Sequence, residues 1–309
     1  MEGRADLHTH TKYSGMSKLR FLRFPDAVSE PAEVVRAAER RGLDIVCVTD
    51  HDTLRGGRLA EKAASGKVEV IVGEEVSTAD GEIVGIFINE DVPRGLSAEE
   101  TIDRIHAMGG VAIAPHPFSA HCSSLANKLF DLKLDGVEFF NAFHRDRYTN
   151  DIAQRLCENL TIARTGGSDA HAPMMVGDGY TTFKGNTAEE LRKAIVRGET
   201  GFGGEYTSFR NLVWLTTLIT LRLQSTITLS LIGARRPDDT RSTREIYDAR
   251  LVSKMAGLAG TLVFLTPPIN FLAGVAADKL HRSRSKTRWL ELADPDEVVT
   301  QDKRAQPDR

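Results

Sequence analysis

The chain has 309 residues, 41% of them hydrophobic and 27% charged, a globular composition with length for one large domain or two ordinary ones. A net charge of −3 excludes a global basic footprint for nucleic acid and leaves only local patches. Cys47, Cys122 and Cys157 are widely spaced and form no C-x-x-C pair, and the first residues are charged without an apolar leader, so the expected setting is a reducing cytoplasm.

Up to about residue 204 strand-like and helix-like segments alternate. Short apolar runs read as buried strands at Asp44–Thr49, Val68–Val72, Ile83–Ile88, Val111–Ala114, Gly136–Phe140 and Thr161–Arg164. Helix signals lie between them. Pro31 opens one helix and Gly42 follows its end. Ser97 with Glu100, and Thr187 with Glu190, have capping-box spacing and lead to Gly109 and Gly198. Alternation of this kind predicts an α/β protein with a parallel sheet. The lack of a dinucleotide-type glycine loop favours a barrel over a doubly wound sheet. A barrel places its chemistry just after the strands. His8 and His10, then Asp50, His51 and Asp52, then Glu74 and Glu75, then His116, then Asn141, His144, Arg145 and Arg147, and finally Ser168, Asp169 and His171 all fall there.

Alternate residues of an extended segment face one side, so His8-x-His10 aims two imidazoles at one point. Imidazole with carboxylate suits zinc, manganese or iron, and a carboxylate is the usual bridge between two such ions about 4 Å apart. Glu75 or Glu74 is the candidate bridge, and Asp169 a second carboxylate. His106 and Cys47 read as packing residues, and Asp52 as a helix cap.

The stretches DLHTHTKYSG, VTDHDT, GEEVST, APHPF, EFFNAF and GSDAH, in this order over residues 5–204, resemble the PHP (polymerase and histidinol phosphatase) family of metal-dependent phosphoesterases. The resemblance implies a distorted (β/α)7 barrel, two or three divalent ions (Mn, Zn or Fe), and hydrolysis of phosphate esters by a metal-activated hydroxide. It assigns His8, His10, Glu75 and Asp169 to a first metal, makes Glu75 the bridge to a second metal also held by His116, and gives His51 and His171 to a third. Glu75 is preferred to Glu74 because GEEVS matches the family's G-x-E-[IV]-S. Two departures leave the second and third sites short of ligands. Gly15 stands where many members carry an acidic residue or histidine, and the strand EIVGIFI lacks a histidine. Water, substrate phosphate or Asp50 is expected to fill the gaps. Lys12, Arg145 and Arg147 are candidates for the substrate phosphate. His116, His51 and His171 are candidates to protonate the leaving alkoxide. The expected substrate is a small phosphorylated metabolite or a short nucleic acid end, as for a nucleoside 3′,5′-bisphosphate phosphatase or a 5′→3′ exonuclease. A metal-poor barrel serving as a membrane-associated binding module is the alternative. An amidohydrolase ranks lower, for want of a bridging lysine.

After Gly204 the character changes. Residues 205–290 form a hydrophobic, mainly helical extension, and 291–309 read as a disordered tail. Segments 212–234 and 256–277 are each long enough to cross a bilayer, which makes membrane contact on the cytoplasmic face an expectation to test. Arg222 near mid-span would cost roughly 2.5–3.5 kcal/mol, and Pro267-Pro268 would break the second segment. The soluble alternative packs 205–234 against the barrel.

Overall fold

The computed structural model describes residues 1–19 and 22–292; the expected tail lies almost wholly outside them. In chain order the barrel begins with β1 (Glu2–Asp6), a 3-10 turn (Lys12–Ser14) and a hairpin of β2 (Met16–Leu19) and β3 (Leu22–Pro25). Then come α1 (Pro31–Arg41), β4 (Ile45–Val48), α2 (Arg55–Ala63), β5 (Glu69–Ser77), β6 (Glu82–Ile86), α3 (Ala98–Ala107) and β7 (Val111–Ala114). β8 (Gly136–Asn141), α4 (Tyr148–Leu156), β9 (Ala163–Gly167), β10 (Gly179–Lys184), α5 (Ala188–Val196) and β11 (Gly201–Gly204) complete it. The predicted helix boundaries have their physical basis. Both capping boxes are formed, and Gly42 ends α1 in the left-handed region at φ +64°.

One nine-stranded sheet in the order β11-β10-β1-β4-β5-β6-β7-β8-β9 curls into a nearly closed, parallel-rich barrel. β1, β4 and β5 run parallel, as do β7, β8 and β9. β6 runs against both neighbours. The reason is length: between Ser77 and Glu82 there is room only for a turn closed by Thr78 and Gly81, whereas a parallel crossover needs a dozen residues or more. β10 and β11, whose glycine-rich sequences carry little apolar signal, pair antiparallel beyond β1.

The ring closes where β9 meets β10. Thr181 accepts from the Gly166 amide at 2.9 Å and donates to the Gly166 carbonyl at 2.9 Å. Close approach here needs glycine: a Cβ on Gly179 would lie 2.1 Å from the Gly167 carbonyl oxygen, and one on Gly166 would lie 2.6 Å from that of Tyr180.

Four helices follow: α6 (Phe209–Leu231), α7 (Arg241–Asp248), α8 (Leu251–Phe264) and α9 (Pro267–Leu292). α6 packs on the barrel through Leu215, which is buried in a cluster with Val34, Val35 and Met175. Trp289 near the end of α9 is buried in the cluster that holds Phe118, Phe139 and Ile152. Among the described residues α6 alone is a single helix long and apolar enough to cross a bilayer, with 28% of that window buried against the protein. Arg222, its mid-helix charge, pairs with Asp238 at 3.1 Å. The second apolar segment is no straight span: α8 and α9 are bent by 92° at the break before the prolines.

Candidate metal centre

Loops at the ends of β1, β4, β5, β7 and β9 converge on one buried point. Four donor atoms meet there. His8 Nε2 lies 3.1 Å from His10 Nε2 and 3.2 Å from Glu75 Oε2. His10 Nε2 lies 3.3 Å from Glu75 Oε2 and 3.2 Å from Asp169 Oδ1, and His8 Nε2 lies 3.6 Å from the same Asp169 oxygen. Five of the six separations among these atoms lie between 3.1 and 3.6 Å, the spacing expected of ligand atoms about a divalent ion with bonds of about 2 Å. Two imidazoles and two carboxylates buried this close together need compensating positive charge, which protonated rings or a bound cation can supply. The donor set therefore fits a divalent ion.

Glu75 has a second oxygen to offer. Its Oε1 is 3.0 Å from His116 Nε2. Glu82, at the start of β6, comes within 3.8 Å of His116 Nε2 and 3.9 Å of His51 Nδ1. A third group collects on the other side of His10: Asp26 Oδ2 is 3.3 Å from His171 Nε2 and 3.9 Å from His51 Nε2. Asp26 and Glu82 thus stand at the two places the sequence departures left short of ligands. Neither was anticipated. The signal for Glu82 lies in register: Ser77 pairs with Glu82, and Ser77 shares a face with Glu75. Asp26 had no such signal. Its amide donates to the Gly15 carbonyl at 3.1 Å, so the β2–β3 hairpin brings an acidic group back beside the loop that follows β1.

Outer partners fix the rings. His8 Nδ1 faces Glu138 Oε1 at 3.2 Å, His10 Nδ1 faces Ser14 Oγ at 2.8 Å, and His171 Nδ1 faces the Asp169 carbonyl oxygen at 2.8 Å. With Nδ1 protonated toward these acceptors, each Nε2 lone pair points inward. Glu138 also accepts from the His116 amide and from Asn141 Nδ2, and Asn141 Nδ2 donates to Asp169 Oδ2. A bulge in β8 between Glu138 and Phe140 accompanies this re-aiming. Asp6 ties the floor together, accepting from the amides of His8, Ser168 and Gly177 and from the Ser168 hydroxyl. His116 and Asp169 hold left-handed backbone at φ +27° and +50°, strain of the kind found at functional sites.

The electrostatics demand positive charge. Burial alone would lower the histidine pKa values, yet the surrounding carboxylates, Asp169 and Glu75 chief among them, raise His10 to about 10 and His116 to about 9. Glu75 and Asp169 are held well below the usual carboxylate range by the histidines, against the opposing effect of burial. Burial, with Glu75 beside it, pushes Glu82 up to about 7.

Other expected site residues are engaged elsewhere. Asp50 accepts from the Thr11 amide at 2.5 Å and the Thr11 hydroxyl at 2.7 Å, so both its oxygens hold the β1 loop and not the metal point. Asp52 accepts from Ser77 and does not cap α2. Glu74 faces away, accepting from the Val92 amide. Lys12 pairs with Glu30 at 2.7 Å and with Asp238 at 3.7 Å. Arg145 pairs with Asp278 at 3.1 Å and donates to the Thr207 carbonyl. Arg147 lies over the Tyr206 ring. His144 is buried 5.6 Å from His116, ring to ring, with Cys122 Sγ 4.0 Å from its Nε2.

Comparison with known proteins bears on the family and the fold. The PHP-associated family model PHP_C matches residues 147–200. An uncharacterized protein of Methanocaldococcus jannaschii is 53% identical over 151 residues, covering 48% of this chain and 88% of its own. An error-prone DNA polymerase of Mycobacterium tuberculosis is 42% identical over 74 residues, 24% of this chain and 6% of the polymerase. Among solved structures, a two-domain protein of Bacteroides vulgatus containing a predicted PHP-like metal-dependent phosphoesterase superposes with a TM-score of 0.55 at 19% identity, over 66% of this chain and 65% of that one. PsfC of Pseudomonas syringae superposes with a TM-score of 0.53 at 18% identity, over 70% of this chain and 96% of that one.

Proposed function

Because the chain belongs to the PHP family, we propose that it is a metal-dependent phosphoesterase acting on phosphate monoesters or nucleotide ends. The observation that carries this reading is the four-cornered donor set of His8, His10, Glu75 and Asp169, with the second Glu75 oxygen turned to His116. Residues 1–204 are read as the catalytic barrel and 205–290 as an extension.

The first ion falls to His8, His10, Glu75 and Asp169. A second falls to Glu75, His116 and Glu82, and a third to Asp26, His51 and His171. Manganese, zinc and iron all accept this mixture of imidazole and carboxylate. Divalent ions held there would supply Lewis acidity and lower the pKa of a coordinated water toward neutrality. The chain's own part is to hold the ligands rigid through Glu138, Ser14, Asn141 and Asp6 and to keep the floor dry. His51 and His171 are less buried than the other histidines of the cluster, and whichever of them is not taken up as an ion ligand is in a position to give a proton to a leaving alkoxide. The complete donor set argues against a metal-poor scaffold. A cytoplasmic setting is supported by three free thiols.

The test is elemental analysis of protein purified without chelator, paired with hydrolysis of an aryl phosphate and of adenosine 3′,5′-bisphosphate in added Mn. Two or more metals per chain, and turnover abolished by His10→Ala or Asp169→Ala, are expected. Less than one metal per chain with no turnover under any divalent ion would sink the reading.

A further inference from the structure

The described ion pairs that cross from barrel to extension share one polarity. Lys12 meets Asp238 at 3.7 Å, Arg23 meets Glu245 at 2.5 Å, Arg55 meets Asp239 at 2.6 Å and Arg145 meets Asp278 at 3.1 Å. In each the barrel brings the cation and the extension the acid. These four cations are not scattered over the barrel. Each is close in sequence to a candidate ligand or its neighbour: Lys12 to His10, Arg23 to Asp26, Arg55 to His51, and Arg145 to His144. Ser14 Oγ, in the same short turn as Lys12, meets His10 Nδ1 and the His51 amide, and His144, beside Arg145, lies 5.6 Å from His116, so these two cations flank the candidate site from different sides. Tyr13 lies beneath two of them, with the Lys12 ammonium 5.6 Å and the Arg55 guanidinium 4.9 Å from its ring.

Cations spaced around a cleft, with an aromatic ring among them, form the electrostatic and stacking footprint of a single-stranded nucleic acid site. Here that footprint is hidden, which is why a chain of net charge −3 gives no sign of it in composition. We propose that Asp238, Asp239, Glu245 and Asp278 stand on the rim where backbone phosphates of a nucleic acid strand would lie, so that the extension is an acidic clasp that admits small phosphate monoesters and holds off strands. The proposal rests on the phosphoesterase reading above and narrows its substrate class. Two of the pairs are loosely held: Arg55 and Asp239 are 46% and 65% exposed, and Arg23 is 54% exposed. Exposed pairs of this kind contribute little stability, so removing their acids is expected to leave the fold intact.

The experiment measures binding of a fluorescein-labelled, 5′-phosphorylated single-stranded 12-mer by anisotropy with the full chain, alongside aryl phosphate turnover. The variant carries Asp238→Asn, Asp239→Asn, Glu245→Gln and Asp278→Asn together. Its expected affinity for the strand is at least tenfold higher than wild type. The log–log salt slope steepens by roughly 2, as for three freed cations on a single strand, Lys12 keeping Glu30. Aryl phosphate turnover is unchanged. Adding Arg23→Gln and Arg55→Gln reverses the gain. If the fourfold variant does not fold, Asp239→Asn with Glu245→Gln, both at the surface, is expected to gain at least threefold. A folded variant that binds the strand no more tightly than wild type overturns the clasp. Binding is read without turnover. A gain in affinity beside an inactive wild type would therefore refute the phosphoesterase reading and leave the clasp standing.

Discussion

A candidate metal centre made of buried imidazoles and carboxylates links ion binding to folding. Its ligands are brought together only in the folded chain, so an ion held there would stabilise the native state. Scanning calorimetry on chelator-stripped protein is expected to show a transition that rises when Mn or Zn is restored. At a free ion concentration one hundred times Kd the gain is about 2.7 kcal/mol. His10→Ala should remove most of that rise, because its Nε2 contacts three of the four corners. Much of this centre was legible in the sequence. His8, His10, Glu75, His116 and Asp169 sit at strand ends in recognisable spacing, and side-chain alternation tells which way they face. Asp26, Glu82 and Glu138 were not legible, for different reasons. Glu138 lies inside an apolar strand run, where its charge reads as an interruption. Glu82 depends on a hairpin register, and Asp26 on a two-stranded excursion with no core-facing pattern of its own.

At the scale of elements, the barrel depends on glycines that no apolar periodicity marks. Gly179 has the Gly167 carbonyl where its Cβ would be, so Gly179→Ala forces β10 from β9. The expected loss is about 1–3 kcal/mol, read by urea denaturation, with weaker metal binding because Asp169 follows β9 directly. Helix signals transferred well because capping is local: the Ser97 and Thr187 boxes involve residues three apart. Strand direction transferred less well. It is a property of connections, and the four residues between β5 and β6 decide it whatever the strands contain. The C-terminal apolar segments show a related limit: hydropathy is blind to the bend between Phe264 and Ile269 and to the pairing of Arg222 with Asp238.

Taken whole, barrel and extension share a core. Trp289 is 4% exposed among barrel residues and lies 6.1 Å from Tyr148, ring to ring. Trp289→Ala should cost about 3–5 kcal/mol. In a Trp214→Phe background, Trp289 emission and far-ultraviolet dichroism should report one coincident unfolding transition; two separate midpoints would mean that the extension unfolds on its own. Acid probes the network that Asp238 makes within the extension. The hydroxyls of Thr243 and Thr240 and the Arg222 guanidinium bring Asp238 down from 3.8 to about 2, although burial works to raise it. A carboxylate with a lowered folded pKa contributes its full stability above the unfolded value and loses it as pH falls through the folded one. Wild type is therefore expected to lose stability relative to Asp238→Asn as the pH drops from about 4 to about 2, measured as the melting temperature of each.

The seam has a consequence in time. β9 and β10 are joined by the Thr181 hydroxyl and by close glycine contact, with no ladder between them. Asp169 lies just beyond β9, His8 just beyond β1, and β10 between these strands in the ring. An ion held by both residues would add to the Thr9–Ala170 bridge in tying the two sides of this join together. Deuterium should enter the Gly166 amide sooner than the amides of Val46 to Val48, which belong to a laced strand. Adding a divalent ion should slow that entry at Gly166. A single backbone proton would then serve as a gauge of metal occupancy in a protein whose candidate ions, if zinc, carry no colour of their own.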